Sequence, residues 1–216
     1  MIYVVGDSKK KFRPLDNIRT KFIVDAPHDG ENIDNVNPYF CELTGLYYMW
    51  RHDTGDIVGL EHYRRYLSVD GKRPINEEEI RARLKDHDIL CYHVNYKTRP
   101  IKSYFTDRHF YDWMQKYIVF LEVIYGKAYA EHCLKYMNSN RHVLGNIFIA
   151  KRELLDEYGK YLFTSLLGFM KAEQWRGVEI RHRVMGYLSE FLFGAWLTWT
   201  KKKECELKVI FDEGKK

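Results

Sequence analysis

A cluster of ionisable and aromatic side chains follows one apolar segment of the sequence. The run Ile-Val-Gly-Leu at 57–60 is continued by five such residues: Glu61, His62, Tyr63, Arg64 and Arg65. The apolar run is typical of a buried strand, and in open α/β sheets ligands bind beyond the carboxyl ends of strands. Two guanidinium groups can make paired, charge-assisted bonds to phosphate oxygens. The segment predicts an anion site; the alternative is one arginine on the surface and one paired with a carboxylate.

A divalent metal, Mg²⁺ or Mn²⁺, is a second hypothesis for this strand end. Glu61 offers a carboxylate to a hard cation and His62 an imidazole to a borderline one, but together they make a weak cage. The arginines could neutralise a diphosphate instead. The literal Asp-x-Asp pair, Asp86 and Asp88, precedes the next apolar run. We therefore interpret it as a helix-to-strand turn on the opposite side of the sheet.

Two glutamates lie among apolar residues. Glu190 interrupts the run 184–199, and such surroundings raise the pKa of a carboxyl group toward the range useful for acid/base chemistry. Glu190 is thus a candidate catalytic base, with the outer face of an amphipathic helix as the alternative. Glu42 and Thr44 share a predicted helix with buried positions. Glu42 is expected either to pair with an arginine such as Arg64 or to contact a ligand.

His109 and Asp112 follow Phe105 in an aromatic-rich segment predicted to be helical. They are expected on a surface helix, and the border of an acceptor site is the alternative. The sequence contains no P-loop, no G-x-G-x-x-G and no G-x-S-x-G motif. Their absence argues against a P-loop NTPase, a dinucleotide-binding fold and an α/β-hydrolase.

The composition is that of one folded domain over residues 1–216. It is 45% hydrophobic and 30% charged, and 35 basic against 30 acidic residues form a mixed surface rather than a nucleic-acid site. The four cysteines are far apart and form no C-x-x-C pair, so a zinc site would need distant segments to converge. Reduced thiols and a cytoplasmic location are expected. The 16% aromatic content suits the binding of sugar rings or nucleobases.

Strands and helices are predicted to alternate along the chain. Strands are expected at 2–5, 21–26, 57 onward into a loop, 88–94, 141–150 and near 206–211. Helices are expected from Asn37 to about Arg51, after a cap at Asn76, over 103–139 with a break at Gly126, from about Lys151, and over 183–200. This order favours an α/β domain with a mostly parallel central sheet flanked by helices.

Four runs of the sequence resemble a known family. They are DGENIDNVNPYFCELTGLYYMW, VGLEHYRRYL, GNIFIAKRELLDEY and RVMGYLSEFL, in this order within about 29–192. They look like the bacterial capsular and exopolysaccharide biosynthesis proteins once filed as a domain of unknown function. That family is regarded as glycosyltransferases, with galactofuranosyl transfer among its assigned activities. The resemblance implies a GT-A-like, Rossmann-related fold that uses a nucleoside-diphosphate sugar.

Carried over position by position, the resemblance implies a set of nucleotide-sugar-binding and catalytic residues. They are Gly30, Asn32, Asn37, Glu42, Thr44, His62, Tyr63, Arg64, Arg65, Asn146 and Glu190. Three positions depart from the family pattern. Glu31 replaces an aspartate and Ile147 a methionine, which keeps the chemistry, whereas Phe191 replaces an arginine beside Glu190.

The predicted function is transfer of a hexose from a UDP-sugar, UDP-galactofuranose among the candidates, to a surface polysaccharide or a lipid-linked glycan. The alternative is a non-catalytic nucleotide- or glycan-binding module of a larger synthase. Peripheral association with the inner membrane is a further hypothesis, because Val184–Trp199 is apolar and lysines follow at 201–203. Packing of that run inside the domain is the alternative.

Overall fold

The structure is a computed structural model that describes residues 1–95, 99–103 and 110–212. The strands are β1 (Ile2–Gly6), β2 (Arg19–Ile23), β3 (Ile57–His62), β4 (Arg65–Ser68), β5 (Ile89–Asn95), β6 (Arg141–Lys151), β7 (Glu204–Glu206) and β8 (Lys208–Phe211). The helices are α1 (Asn37–Phe40), α2 (Leu43–His52), α3 (Glu77–Leu84), α4 (Tyr111–Tyr125), α5 (Lys127–Met137), α6 (Arg152–Trp175) and α7 (Val184–Thr200).

These strands form one sheet in the order β2-β1-β3-β6-β5-β7, with β4 paired to β3 and β8 paired to β4. The α/β class with a central sheet and flanking helices is confirmed. The mostly parallel arrangement is corrected, because β1 pairs in parallel with β2 and β3, and β5 with β7, whereas the other four pairings are antiparallel. A tight turn after His62 returns the chain as β4, and β6 runs against both of its neighbours.

Helices cover both faces of the sheet. Neighbouring residues alternate between faces, so Phe148 packs with the larger helical cluster while Ile149 packs beneath α3. The larger cluster joins β1, β3, β5 and β6 to α2 and α4–α7. The sheet is therefore buried on both sides along its centre, and polar groups collect at the strand ends.

Three helix boundaries test the sequence interpretation. Asn76 caps α3 through a reciprocal capping box with Glu79, and Gly126 separates α4 from α5 at φ 89°, both as predicted. The single helix expected from Asn37 to about Arg51 is wrong. Cys41 has φ 53°, which interrupts the helix and separates α1 from α2.

Helix α7 lies inside the domain. Twelve of its residues are buried, among them Val184, Phe191 and Leu197. The burial of these residues supports the alternative that the apolar run packs inside the domain. Among the described helices, none has both the length and the apolar character needed to cross a bilayer.

Candidate functional site

A pocket of about 570 Å³ opens at the carboxyl ends of β1 and β3. It is lined by Val5, Gly6, Asp7, Lys10, Val24, Asn37, Pro38, Cys41, Glu42, His62, Tyr63, Arg64, Arg65, His182, Arg183, Tyr187 and Glu190. Its size lies within the range of small-molecule sites, and its place is where open α/β sheets bind ligands.

The floor of the pocket comes from two parallel strands. Val5 of β1 is in register with His62 of β3, and the Tyr63 amide donates to the Val5 carbonyl oxygen at 2.9 Å. Gly6 gives the backbone its close approach, because a Cβ there would lie 2.8 Å from Phe12 Cζ and 3.1 Å from Tyr63 Cδ1. The strand ends thus hold the Tyr63 ring against the backbone of β1.

Four cationic side chains line the pocket: Lys10, Arg64, Arg65 and Arg183. Arg64 is exposed, and Arg65 is half-buried with an Nε that has no hydrogen-bond partner among the described residues. Arg183 precedes α7 in the left-handed region at φ 65°, and its amide donates to the Pro38 carbonyl oxygen at 2.9 Å. Converging guanidinium groups of this kind suit a phosphate or diphosphate.

Three carboxylates share the same pocket: Asp7, Glu42 and Glu190. Asp7 lies 3.3 Å from Lys10 Nζ. Glu42 is 8% exposed, and its Oε1 accepts a hydrogen bond from Asn146 Nδ2 at 3.0 Å. Glu190 is half-buried on α7. The lining therefore combines four cations with three carboxylates, so it can hold an anion and still offer a proton acceptor.

Gly145 borders both Arg65 and Glu190. A Cβ on Gly145, whose φ is 59°, would lie 3.5 Å from Arg65 Nη1 and 3.9 Å from Glu190 Oε1. The glycine thus leaves room for both charged groups where β6 has two consecutive residues with positive φ, Gly145 and Asn146. Because Arg65 and Glu190 line the same pocket, the carboxylate can act on a ligand that the guanidinium holds.

Two non-glycine residues with positive φ shape the side of the pocket that carries Glu42. Asn146 has φ 52° and is fully buried; its Nδ2 donates to Glu42 and, at 2.7 Å, to Ser189 Oγ. Cys41, at φ 53°, turns the chain so that Cys41 and Glu42 both line the pocket. Burial raises the pKa of the Cys41 thiol to about 12, which keeps it protonated and unsuited to nucleophilic attack. Backbone strain of this kind persists where surrounding contacts fix it.

His62 lines the pocket as a neutral imidazole. Burial lowers its pKa, the charge of Glu42 partly offsets this effect, and the charges of Arg65 and Arg64 lower the pKa as well. Its Nε2 is enclosed and has no hydrogen-bond partner within residues 1–95, 99–103 and 110–212. As a neutral ring, His62 can donate from one ring nitrogen and accept at the other.

Glu61 does not reach the pocket, which corrects the predicted pairing of Glu61 with His62 as metal ligands. Its carboxylate is fully buried on the other face of β3, where Oε2 accepts from Arg19 Nε at 2.7 Å and Oε1 from the Leu67 amide at 2.8 Å. Consecutive strand residues point to opposite faces, so the two side chains cannot share one ion. In the described part of the chain, no three His, Cys, Asp or Glu side chains converge on this pocket as metal ligands.

The remaining predicted residues fall into two groups. Asn37 and Tyr63 line the pocket. Asn32, Thr44 and Asn146 do not line it: Asn32 Nδ2 donates to the carbonyl oxygens of His28 and Gly30, and Thr44 Oγ1 donates to Asn37 Oδ1 at 3.0 Å. These three side chains organise the loop and helix start behind the lining.

Two further pairs of residues were singled out by the sequence analysis: His109 with Asp112, and Asp86 with Asp88. Asp112 is exposed in the first turn of α4, and His109 lies outside the described residues. Asp86 and Asp88 follow α3 as the predicted turn, where Asp88 Oδ2 accepts from the Lys203 amide at 2.7 Å. Neither aspartate lines the pocket.

Several lining residues were missed by the sequence analysis: Asp7, Lys10, Cys41, His182, Arg183 and Tyr187. Asp7 could have been found, because it follows the first apolar strand as Tyr63 and Arg64 follow the third. Arg183 carries no comparable signal, since only the packing of α7 against α1 brings it to the strand ends.

The chain belongs to the family described as Domain of unknown function (DUF4422), whose model matches residues 3–203. A search of curated protein sequences found no significant match.

A solved structure shares the fold. It is the apo structure of the bifunctional glycosyltransferase WbbM, with a TM-score of 0.79 and 21% sequence identity over 97% of this chain. The match covers 45% of the WbbM chain, so this chain spans less than half of that protein's length. At this identity the similarity shows a common α/β fold, which is consistent with the GT-A-like fold that the sequence resemblance implied.

Proposed function

We propose that this protein is a glycosyltransferase that moves a hexose from a nucleoside-diphosphate sugar, UDP-linked, to a glycan acceptor. The observation that carries the proposal is one pocket at the ends of β1 and β3 that combines Arg64, Arg65 and Arg183 with Glu42 and Glu190. The fold it shares with a bifunctional glycosyltransferase supports the same reaction class.

The parts of the donor are assigned to the residues that line the pocket, from the end of β1 to α7. The base and ribose lie toward Gly6, Asp7 and Tyr63, where an aromatic face borders the end of β1. The diphosphate lies among the arginines. The sugar lies toward Glu42, Tyr187 and Glu190, which line the wall of the same pocket. This order places the scissile bond between the cations and the carboxylates.

Glu190 acts as the base of an inverting transfer. Its carboxylate takes the proton of the acceptor hydroxyl as that oxygen bonds to the anomeric carbon, and the bond from this carbon to the diphosphate oxygen breaks on the other side. The departing nucleoside diphosphate keeps the electron pair, and Arg64, Arg65 and Arg183 meet its charge. Stabilising charge where it develops is usually the largest catalytic contribution. His62, neutral and close to the arginines, binds the donor.

A divalent ion stays a prediction. With Glu190 acting as the base, Asp7 and Glu42 are the pocket carboxylates that could bind this ion. Among the described residues, however, the pocket does not form a cage of three protein ligands. The proposed mechanism therefore assigns the diphosphate charge to the arginines.

Two finer proposals come from the sequence resemblance: galactofuranose as the sugar, and a surface polysaccharide or lipid-linked acceptor. A third, peripheral association with the inner membrane, comes from the apolar run 184–199 and the lysines that follow it. Trp199, Lys201 and Lys203 are exposed at the end of α7 and would face such a membrane. Co-sedimentation with anionic but not neutral vesicles would support that surface, and equal recovery would argue against it.

The test of the proposed function is a panel of UDP-sugars, UDP-galactofuranose included, incubated with the protein and glycan acceptors. Release of UDP together with extension of an acceptor supports a transferase. Saturable binding without hydrolysis or transfer for any donor would instead indicate the non-catalytic binding module. The absence of both binding and turnover would remove the proposal.

A further inference from the structure

A second cluster of chemically reactive side chains lies away from the nucleotide-sugar pocket, where β7 joins β5. Cys91 and His93 lie on β5 and Glu204 on β7, and their ligand atoms all lie within 4.8 Å of one another. His93 Nε2 is 2.7 Å from Glu204 Oε2, and Cys91 Sγ donates to the same oxygen at 3.6 Å. None of the three lines the pocket described above.

We propose that Cys91, His93 and Glu204 bind a zinc ion that attaches β7 to β5. One sulfur, one imidazole nitrogen and one carboxylate oxygen form a ligand set typical of Zn²⁺, whereas Mg²⁺ and Ca²⁺ require oxygen ligands. Zinc bound by one thiolate and one carboxylate carries no net charge, which suits a site where Cys91 is fully buried.

The three ligand atoms lie within 4.8 Å of one another, and two of their separations can be compared with those of a tetrahedral ion. With zinc bonds of about 2.0 to 2.3 Å, tetrahedral ligand atoms lie roughly 3.3 to 3.8 Å apart. The Cys91–Glu204 separation is already in that range. The shorter His93–Glu204 contact is a hydrogen bond, and it opens when a metal replaces the proton between the two atoms.

Neighbouring groups set where that proton goes. Arg141 Nη2 lies 3.2 Å from His93 Nδ1, and arginine only donates, so Nδ1 accepts and the imidazole proton is on Nε2. Glu206 Oε2 lies 3.8 Å from Nδ1. A metal on Nε2 requires the imidazole proton on Nδ1, so Arg141 must release Nδ1 and keep its bond to Glu206 at 3.0 Å. Glu206 Oε2 must then approach from 3.8 Å to accept from Nδ1, the usual carboxylate support of a metal-bound histidine. The Cys91 thiol releases its proton to solvent as the sulfur–zinc bond forms.

An ion can reach the site from one side. His93 and Glu204 line a cavity of about 280 Å³ together with His132, Lys135 and Tyr136. Three protein ligands leave the fourth position of a tetrahedral ion facing this cavity, where water can complete the coordination. The site fixes β7, a strand of three residues at the edge of the sheet, to the domain.

Cobalt titration of the chelator-treated protein tests the proposal, together with zinc analysis of the protein as purified. We expect one metal ion per chain and a thiolate-to-cobalt charge-transfer band with the visible bands of a four-coordinate ion. Cys91→Ser should abolish the charge-transfer band. Cys205→Ser is the matched control, because Cys205 packs against the hydrophobic cluster on the other face of the sheet and should leave the band unchanged.

Two carboxylate variants keep the test decisive if Cys91→Ser fails to fold. Glu204→Gln should lose most of the cobalt affinity, and Glu206→Gln should weaken it by roughly 10- to 100-fold, with an unchanged circular dichroism spectrum. The proposal is overturned if no metal binds near one equivalent, if the band depends on Cys205 rather than Cys91, or if folded Glu204→Gln binds cobalt as tightly as the wild type.

Discussion

Asn146 donates a hydrogen bond to Glu42 at 3.0 Å, and through it β6 positions a carboxylate that belongs to the start of α2. The contact joins residues 104 positions apart in the sequence. Asn146 is buried in a left-handed conformation, whereas Glu42 faces the pocket. The family-derived assignment of Asn146 as a ligand contact is therefore replaced by a role in holding Glu42.

The first prediction separates the amide of Asn146 from its backbone conformation. Asn146→Ala leaves the buried Glu42 carboxylate without this donor, which costs about 1 to 3 kcal/mol, and it also places an alanine at φ 52°. Asn146→Gly removes the same amide but tolerates this φ, so it should be more stable than the alanine variant. Urea denaturation measures both. Equal stabilities for the two variants would contradict the backbone argument.

The second prediction concerns the stability near His62 as a function of pH. Burial lowers its pKa below the usual 6.5, so below pH 6.5 the unfolded state takes up a proton that the folded state does not. Stability should therefore fall on acidification below pH 6.5, by up to about 1.4 kcal/mol per pH unit from this group. His62→Gln should show a shallower dependence in denaturation series. Identical slopes for variant and wild type would show that His62 titrates normally.

The third prediction separates Glu61 from the site. Glu61→Gln removes the buried one of the two carboxylates paired with the Arg19 guanidinium and leaves only Asp16, 2.7 Å from Nη1. It should destabilise the fold by up to about 3 to 5 kcal/mol. Nucleotide affinity of the folded protein should not change, because Glu61 lies on the other face of β3. Glu77→Gln, which breaks an exposed pair with Arg81, is the control and should change stability little. Lost nucleotide or metal binding in folded Glu61→Gln would restore its predicted ligand role.

The rule that ligands bind beyond the carboxyl ends of strands explains which parts of the site could be predicted from the sequence. It located His62, Tyr63, Arg64 and Arg65, since any apolar strand followed by polar residues places them at a sheet edge. It could not separate Glu61 from His62, because both faces of β3 are covered and apolar alternation is absent. Arg183 depends on how α7 packs, and this long-range contact leaves no local pattern.

The directions of the strands in the sheet could not be predicted from the sequence either. A buried antiparallel strand such as β6 has the same continuous apolar pattern as a parallel one, so the sequence favoured a parallel sheet. The return of the chain at β4 was missed because Arg65–Ser68 follows the ionisable cluster directly. By contrast, the break at Gly126 and the cap at Asn76 are local, and both were predicted correctly.

The fourth prediction assigns the base. Glu190→Gln keeps the side-chain volume but cannot accept the proton, so turnover should fall by about 10²- to 10⁴-fold while donor affinity stays nearly unchanged. His62→Ala is the comparison and should weaken donor binding as well as the rate. Steady-state kinetics and calorimetry measure both effects. Wild-type turnover in Glu190→Gln, with transfer abolished but donor still bound in His62→Ala, would assign the base to His62.

The central claim, a nucleoside-diphosphate site among three arginines, is tested most directly by calorimetric titration of UDP. The account predicts one saturable site in the wild type, weakened by roughly 1.5 to 3 kcal/mol in each of Arg64→Ala, Arg65→Ala and Arg183→Ala. Arg81→Ala, which removes a surface arginine paired with Asp56 and Glu77, should bind UDP as the wild type does. Absence of binding for UDP and other nucleoside diphosphates, or unchanged affinity in all three pocket variants, would contradict the account.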